Sequence, residues 1–308
     1  MAIDFIGDIH GHATALEKLL ATLGYHRKNR QWVHPNSRLV FLGDLIDRGP
    51  QQRQTVDVVR ELCDAGLAVC LAGNHEFNAV GFVTERPDSP GQFVRSHSDN
   101  HIRQHEAFLE AYANDTAGYQ ETLNWFRRLP IWYETAGARA VHACWHPPSQ
   151  AVLAPLIDAS NRPLSTAFFT ETGTPGSEPW LAREVLLNGM EATLPDQVAF
   201  TDYYGIRRRR IRVNWWTPGQ TTFRQAAVID EAQRDTIPDL NMPERSPDYQ
   251  GTLCFFGHYW MRGQPRIQHP RAVCLDYSIA LADGALCAYR FQGELDATAE
   301  HLIWQHRK

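Results

Sequence analysis

The stretch Phe41-Leu42-Gly43-Asp44-Leu45-Ile46-Asp47-Arg48-Gly49 decides how the chain is read. The apolar run Leu39–Leu42 predicts a buried strand, and Gly43 lets the backbone turn tightly at its end. Asp44 then sits at the strand's carboxyl end, with Asp47 and Arg48 in a turn closed by Gly49 and Pro50. Two carboxylates and a guanidinium so close together are costly to bury without partners. A metal ion at Asp44 and an anion at Arg48 would supply them. A solvated turn with an Asp-Arg pair is the plainer reading of this segment alone.

Recurrence favours the first reading. Phe5-Ile6-Gly7-Asp8, Leu71-Ala72-Gly73-Asn74 and Phe255-Phe256-Gly257-His258 repeat the order of apolar strand, glycine and polar residue, and Val141-His142 is a fifth strand ending in a possible ligand. Ligands of open α/β sheets bind beyond the carboxyl ends of the strands. Asp8, Asp44, Asn74, His142 and His258 are therefore expected in one crevice, with His10 and His75 just past two of the junctions. The repeats are too short and too unevenly spaced for internal duplication.

The remaining composition sets limits. The chain has 308 residues, 43% hydrophobic and 21% charged, ample for a sizeable core. A net charge of −5 gives no electrostatic case for bulk nucleic-acid binding. No basic leader precedes the first apolar residues and no apolar run is long enough to span a membrane, so neither signal peptide nor membrane anchoring is expected. Six cysteines, none in a CxxC pair and most in strand-like runs, suit free thiols in a reducing cytoplasm.

Along the chain, residues 2–82 alternate: a strand near Ile3–Ile6, a helix near Ala13–Leu23, a strand at Leu39–Leu42, a helix near Arg53–Ala65, a strand at Leu67–Leu71 and a short helix from His75. This order predicts a parallel sheet. Val83 to Asn100 reads as a loop, followed by helices near Ile102–Ala113 and Tyr119–Arg128. Strands are predicted near Ile131–Thr135, Arg139–Ala143, Thr252–Phe256, Ala272–Leu275 and Ala285–Phe291, and helices near Pro179–Leu187 and from Asp296. Alternation in the Arg207–Arg212 run places Arg208, Arg210 and Arg212 on one strand face. Residues 230–250 read as a loop. With no linker between halves, a single domain over 1–308 is expected, carrying cap or lid insertions near 83–128 and 147–195.

Asp, His and Asn side chains suit a pair of divalent metals such as Mn, Fe, Zn or Ni. Asp44 can bridge both, Asp8 and His10 completing one site and Asn74, His142 and His258 the other. Two such ions lower the pKa of a shared water, and the resulting hydroxide attacks phosphorus in line. His75 is placed to protonate the leaving alkoxide, with Asp47 holding its ring. Arg48 would bind phosphate oxygens bidentately. His12 reads as a capping or solvated residue, and His101 and His105 as surface residues.

Gly7-Asp8-Ile9-His10-Gly11, Gly43-Asp44-Leu45-Ile46-Asp47-Arg48-Gly49 and Gly73-Asn74-His75-Glu76 resemble the three motifs of the phosphoprotein phosphatase family, within the calcineurin-like metallophosphoesterases. His142 and Gly257-His258 fall where that family's last two histidine ligands occur. The resemblance implies an α/β fold with a central β-sandwich of two mixed sheets flanked by helices. It also implies a dinuclear site, for which manganese is favoured, and hydrolysis without a covalent phosphoenzyme. A second phosphate-binding arginine is implied between the late histidines; Arg212 is the first choice and Arg210 the second.

Some features depart from the eukaryotic protein phosphatases: Ala143-Cys144-Trp145 follows His142, and Cys274-Leu275-Asp276-Tyr277-Ser278 stands near the end. Ile211-Arg212-Val213-Asn214-Trp215-Trp216 looks more like bacterial branches, including phosphatase modules of RNA-repair enzymes. The related symmetrical diadenosine tetraphosphate hydrolases usually lack a counterpart of Asp47, which favours a phosphomonoesterase. The expected activity is a phosphatase acting on a phosphoprotein, nucleotide or small phosphomonoester, with protein phosphoserine or phosphothreonine among the candidates. The alternatives are a dinucleoside polyphosphate or nucleic-acid-end phosphohydrolase and, in another class, a binding module that has lost catalysis.

Overall fold

The computed structural model describes residues 1–29, 31–201, 205–229, 231–243, 249 and 251–307. The strand Ala2–Ile6 lies at the heart of a six-stranded sheet. It pairs in parallel with Ser37–Phe41, which pairs in parallel with Ala68–Cys70. On its other side it pairs antiparallel with Ala285–Phe291, which also carries Asp276–Tyr277 and Leu302–His306. A second sheet of four strands runs in the order Ala272–Cys274, Cys254–Phe256, Arg139–Val141, Trp132–Glu134. Both sheets are mixed, and the expected five strand ends are therefore shared between two sheets. Apolar periodicity cannot tell one buried sheet from two.

The two-residue period of the strands explains the layers. Phe5, Val40 and Leu42 of the first sheet meet Ala140, Phe255, Val273 and Leu275 of the second in one buried cluster. At its centre the Phe5 and Phe255 rings stack with centroids 4.1 Å apart. The alternate residues Ile6, Leu39, Phe41, Val141, Cys254 and Phe256 face outward into a second cluster with the helices. There Leu16, Leu19, Leu20 and Leu23 form the buried stripe of the helix Ala13–Leu23. Because both faces are covered, these strands read as continuous apolar runs.

Several elements differ from expectation. The segment after Asp296 forms the strand Leu302–His306, preceded by a short 3-10 turn, because the edge of Ala285–Phe291 needs a partner there. The expected loop after Val83 contains the hairpin Glu85–Arg86 with Ser89–Phe93. Within the arginine run, Arg207–Arg208 pairs with Phe200–Thr201 and Arg210–Arg212 pairs with Glu191–Thr193, so no single strand carries all the arginines on one face. Of the predicted 230–250 loop, Glu231–Thr236 is a 3-10 helix, and positions 230, 244–248 and 250 lie outside the described residues. Among the described residues no helix is long and apolar enough to cross a membrane.

Candidate functional site

Turns at the carboxyl ends of both sheets converge. Asp8 and His10 follow Ala2–Ile6, Asp44 follows Ser37–Phe41, and Asn74 opens the helix Asn74–Val83 after Ala68–Cys70. His142 and His258 come from the second sheet, after Arg139–Val141 and Cys254–Phe256. The Ile9 and His10 N–H groups both donate to the Asp44 carbonyl, at 3.0 and 2.9 Å, locking the first two turns together. His10, Asp44, Asp47, Arg48, His258 and Trp260 all hold positive φ, between 46° and 71°. Such conformations cost non-glycine residues and cluster where surrounding structure dictates them. At Gly257 a Cβ would lie 2.0 Å from Asp8 Oδ1, so only glycine lets that carboxylate reach the His258 N–H at 3.1 Å.

Glu76 ties the second and third turns. Its carboxylate accepts from the N–H groups of Asp44, Leu45 and Gly73, at 2.9, 2.8 and 2.9 Å. Burial, followed by the nearby Asp44 charge, pushes its pKa up to about 7.

The donor set fits divalent cations. His10 Nδ1 donates to the Ile46 carbonyl at 2.9 Å, and His142 Nδ1 donates to Leu42 at 2.7 Å. A carbonyl oxygen only accepts, so in the neutral form each ring turns its other nitrogen inward as a lone pair, as second-shell bonds do for metal-binding histidines. The inward His10 Nε2 is buried with no hydrogen-bond partner among the described residues, 3.7 Å from Asp44 Oδ2. The inward His142 Nε2 faces Asn74 Oδ1 at 3.0 Å and Asp44 Oδ1 at 3.4 Å, acceptor against acceptor. Only an extra proton or a cation resolves that contact. Although burial opposes a charge on His142, the Asp44 carboxylate outweighs it and holds the ring's pKa up at about 10.

Ligand atoms of Asp44, His142 and His258 lie within 4.8 Å of one another, and so do those of His10, Asp44 and His75. Asp44 belongs to both groups, and Asp8 to neither. Burial, reinforced by Asp276 and Asp44, raises the Asp8 pKa well above the carboxylate range. A surplus of buried negative charge is what divalent ions would neutralise.

Beside this centre, His75 Nδ1 donates to Asp47 Oδ2 at 2.5 Å while its Nε2 faces Asp44 Oδ2 at 3.7 Å. Burial disfavours the imidazolium, but the carboxylates of Asp44 and Asp47 outweigh it and raise the His75 pKa. Arg48 stacks its guanidinium 3.8 Å over the Trp260 ring. Arg212 is half-buried and donates to the His258 carbonyl at 3.2 Å, whereas Arg210 is exposed and paired with Glu191 at 3.2 Å. His75, Arg48, Arg212 and Arg210 face a cleft of about 1840 Å³ whose walls carry further arginines, among them Arg86, Arg95, Arg103, Arg183 and Arg207.

Some residues escaped the sequence reading. His105, expected on the surface, is 5% exposed and bonds Asp47 Oδ1 at 2.8 Å; its helix folds back over the site. His12 is buried, makes no cap bond, and burial lowers its pKa to about 4. Trp260 and Asp276 gave no local signal; Asp276 accepts from the Trp260 N–H at 2.7 Å. For Glu76, three residues after Gly73 at a helix start, the capping-box spacing was the available clue.

The calcineurin-like phosphoesterase profile matches residues 1–258. Bis(5'-nucleosyl)-tetraphosphatase PrpE (asymmetrical) of Oceanobacillus iheyensis is 46% identical over 76 residues, which cover 24% of this chain and 30% of that protein. The protein of the same name from Bacillus subtilis is 42% identical over 76 residues, 24% of this chain and 31% of its own length. The chain thus aligns with less than a third of these relatives. A solved cold-active protein-tyrosine phosphatase of a psychrophilic Shewanella species superposes with a TM-score of 0.50 at 14% identity, over 94% of this chain and 75% of that one. That likeness concerns the fold.

Proposed function

This chain belongs to the calcineurin-like phosphoesterase family, and from that premise we propose that it hydrolyses phosphomonoesters by direct attack of water, with His75 as the acid. As a member of that family it is a metal-dependent phosphoesterase. Asp8, His10, Asp44, Asn74, His142 and His258 would hold two divalent ions, with Asp44 shared. Bound there, the ions would supply Lewis acidity, acidifying water and neutralising phosphoryl charge.

The chain's own residues supply the rest. Arg48 and Arg212 offer guanidinium N–H groups to the phosphoryl oxygens, and the stack on Trp260 fixes the plane of Arg48. His75 carries a proton on Nε2 to the leaving oxygen, while its Nδ1–H stays on Asp47. The observation that carries this reading is the orientation of His75: one nitrogen tied to a buried carboxylate, the other turned into the centre. An alkoxide leaving group needs such an acid.

A second reading rests on the arginines that extend along the cleft beyond the centre. They favour an extended polyanion, and the tetraphosphatase name of the partial relatives agrees with a dinucleoside polyphosphate. A substrate panel with Mn at neutral pH separates the two. It should contain a phosphopeptide, an alkyl and an aryl phosphate, diadenosine tetraphosphate and a cyclic nucleotide. Turnover of the alkyl phosphate or the phosphopeptide above the tetraphosphate supports the phosphomonoesterase. The reverse order replaces it with the second reading.

A further inference from the structure

Asp47 lies in an irregular turn at φ 68°, with no helix or strand to hold it. Its carbonyl accepts from the Gly49 N–H at 2.8 Å, and three further contacts among the described residues hold it. Its N–H donates to Gln52 Oε1 at 2.7 Å, Oδ2 takes His75 Nδ1, and Oδ1 takes His105 Nδ1 at 2.8 Å. His105 comes from the helix Asp99–Ala111, whose N-cap Ser98 and buried Phe108 anchor it. Its ring packs between Phe82 and Phe108, with centroids 5.4 and 5.0 Å away. Nε2 of His105 is buried with no hydrogen-bond partner among the described residues.

Packing alone would favour an apolar ring here, because a buried polar atom without a partner is costly. The bond to Asp47 is what the imidazole gains. Burial works against an ionised Asp47, but the bond from His105, then that from His75, hold its carboxyl well below the usual range. A carboxylate that receives both N–H groups can be turned in only one way.

We propose that His105 is a positioning residue for the reaction: it fixes the Asp47 carboxylate so that His75 Nε2 points at the leaving oxygen. The proposal rests on the reading of His75 as the acid. His105 itself transfers no proton and touches no substrate. Through it, the helix Asp99–Ala111 becomes part of the apparatus that aims the acid.

The test compares His105→Phe, His105→Asn, His75→Asn and the double variant His75→Asn/His105→Phe. Each is assayed with Mn on an alkyl phosphate and on para-nitrophenyl phosphate, with thermal unfolding in parallel. Phenylalanine keeps the ring packing and removes the donor; asparagine returns an amide N–H near the place of Nδ1. His105→Phe is expected to lower kcat on the alkyl phosphate on the order of tenfold, with KM little changed and a smaller loss on the aryl phosphate. His105→Asn should recover most of that loss, and the double variant should be no slower than His75→Asn alone. Equal losses on both substrates, or a further loss in the double variant, overturn the role of His105 and leave the acid standing. Equal losses for His75→Asn itself overturn the acid, and the proposal with it. A readout independent of turnover is the solvent exchange of the His75 Nδ1–H by NMR. It should quicken in His105→Phe, and unchanged exchange counts against the proposal.

Discussion

Within one strand and the turn after it, Asp4 and Asp8 are both withdrawn from water. Around Asp4 stand full sets of donors. The Tyr25 and Ser37 hydroxyls donate at 2.9 and 2.6 Å, and Arg290 donates from Nε at 2.7 Å and Nη2 at 3.0 Å. Among the described residues Asp8 accepts from the His258 N–H, and its neighbours are the carboxylates of Asp276 and Asp44, which with burial outweigh the opposing charge of His142. A buried charge with matched partners serves the fold, whereas one facing like charges is a demand for something the chain does not contain. Asp4 fastens the first strand to Arg290 of the neighbouring antiparallel strand, and Asp8 opens onto the candidate centre. The difference separates stability from chemistry within a few residues.

The sharpest way to break this comparison is at the centre. Asp44→Asn should leave a folded chain, yet remove metal from both groups and lower turnover by more than the roughly 10–100-fold that loss of an outer-shell partner costs. Elemental analysis with steady-state rates checks it, and retained metal would refute the shared role of Asp44. His75→Asn comes next: about 10²–10⁴-fold slower on an alkyl phosphate, less on an aryl phosphate, with metal content intact. Loss of a metal there would instead make His75 a ligand, as its grouping with His10 and Asp44 allows.

Asp4→Asn tests the other side. It should destabilise the chain by about 3 kcal/mol in urea, the low end for breaking a buried pair, because Arg290 keeps 25% of its side chain exposed. Rates per folded molecule should not change; a fall in rate without a fall in stability would erase the distinction. The smallest effect is expected for Asp8→Asn in chelator. The folded-state pKa of Asp8 is raised, so its stabilising contribution exists in acid and is lost as pH rises through that value. Removing the charge should therefore leave the metal-free chain at least as stable as the parent in neutral buffer and make no difference in acid. Urea melts at the two pH values decide it.

What the sequence disclosed follows from locality. A strand, a glycine and a ligand are adjacent in the chain, so the residues now gathered at the centre could be found by that pattern alone. Their partition between two sheets could not, because Phe5 and Phe255 look alike as apolar residues whether they share a sheet or face one another across two. His105 and Trp260 were missed for the same reason: each meets its partner, Asp47 or Arg48, across a long sequence separation, and nothing near it in the chain announces the contact. The helix expected from Asp296 failed because the open edge of Ala285–Phe291 outweighs weak local preference.

The left-handed backbone at His10, Asp44, Asp47, Arg48, His258 and Trp260 sets survival of heat against survival of function. Glycine at such a position relieves on the order of 1 kcal/mol of backbone strain and deletes a side chain of the candidate centre. A mutant library selected for thermal resistance alone would collect glycine where these side chains are least buried, at Arg48 and Trp260. Its hardiest members would be well-folded proteins with an eroded centre, so an evolutionary screen on this scaffold must reward turnover and endurance together.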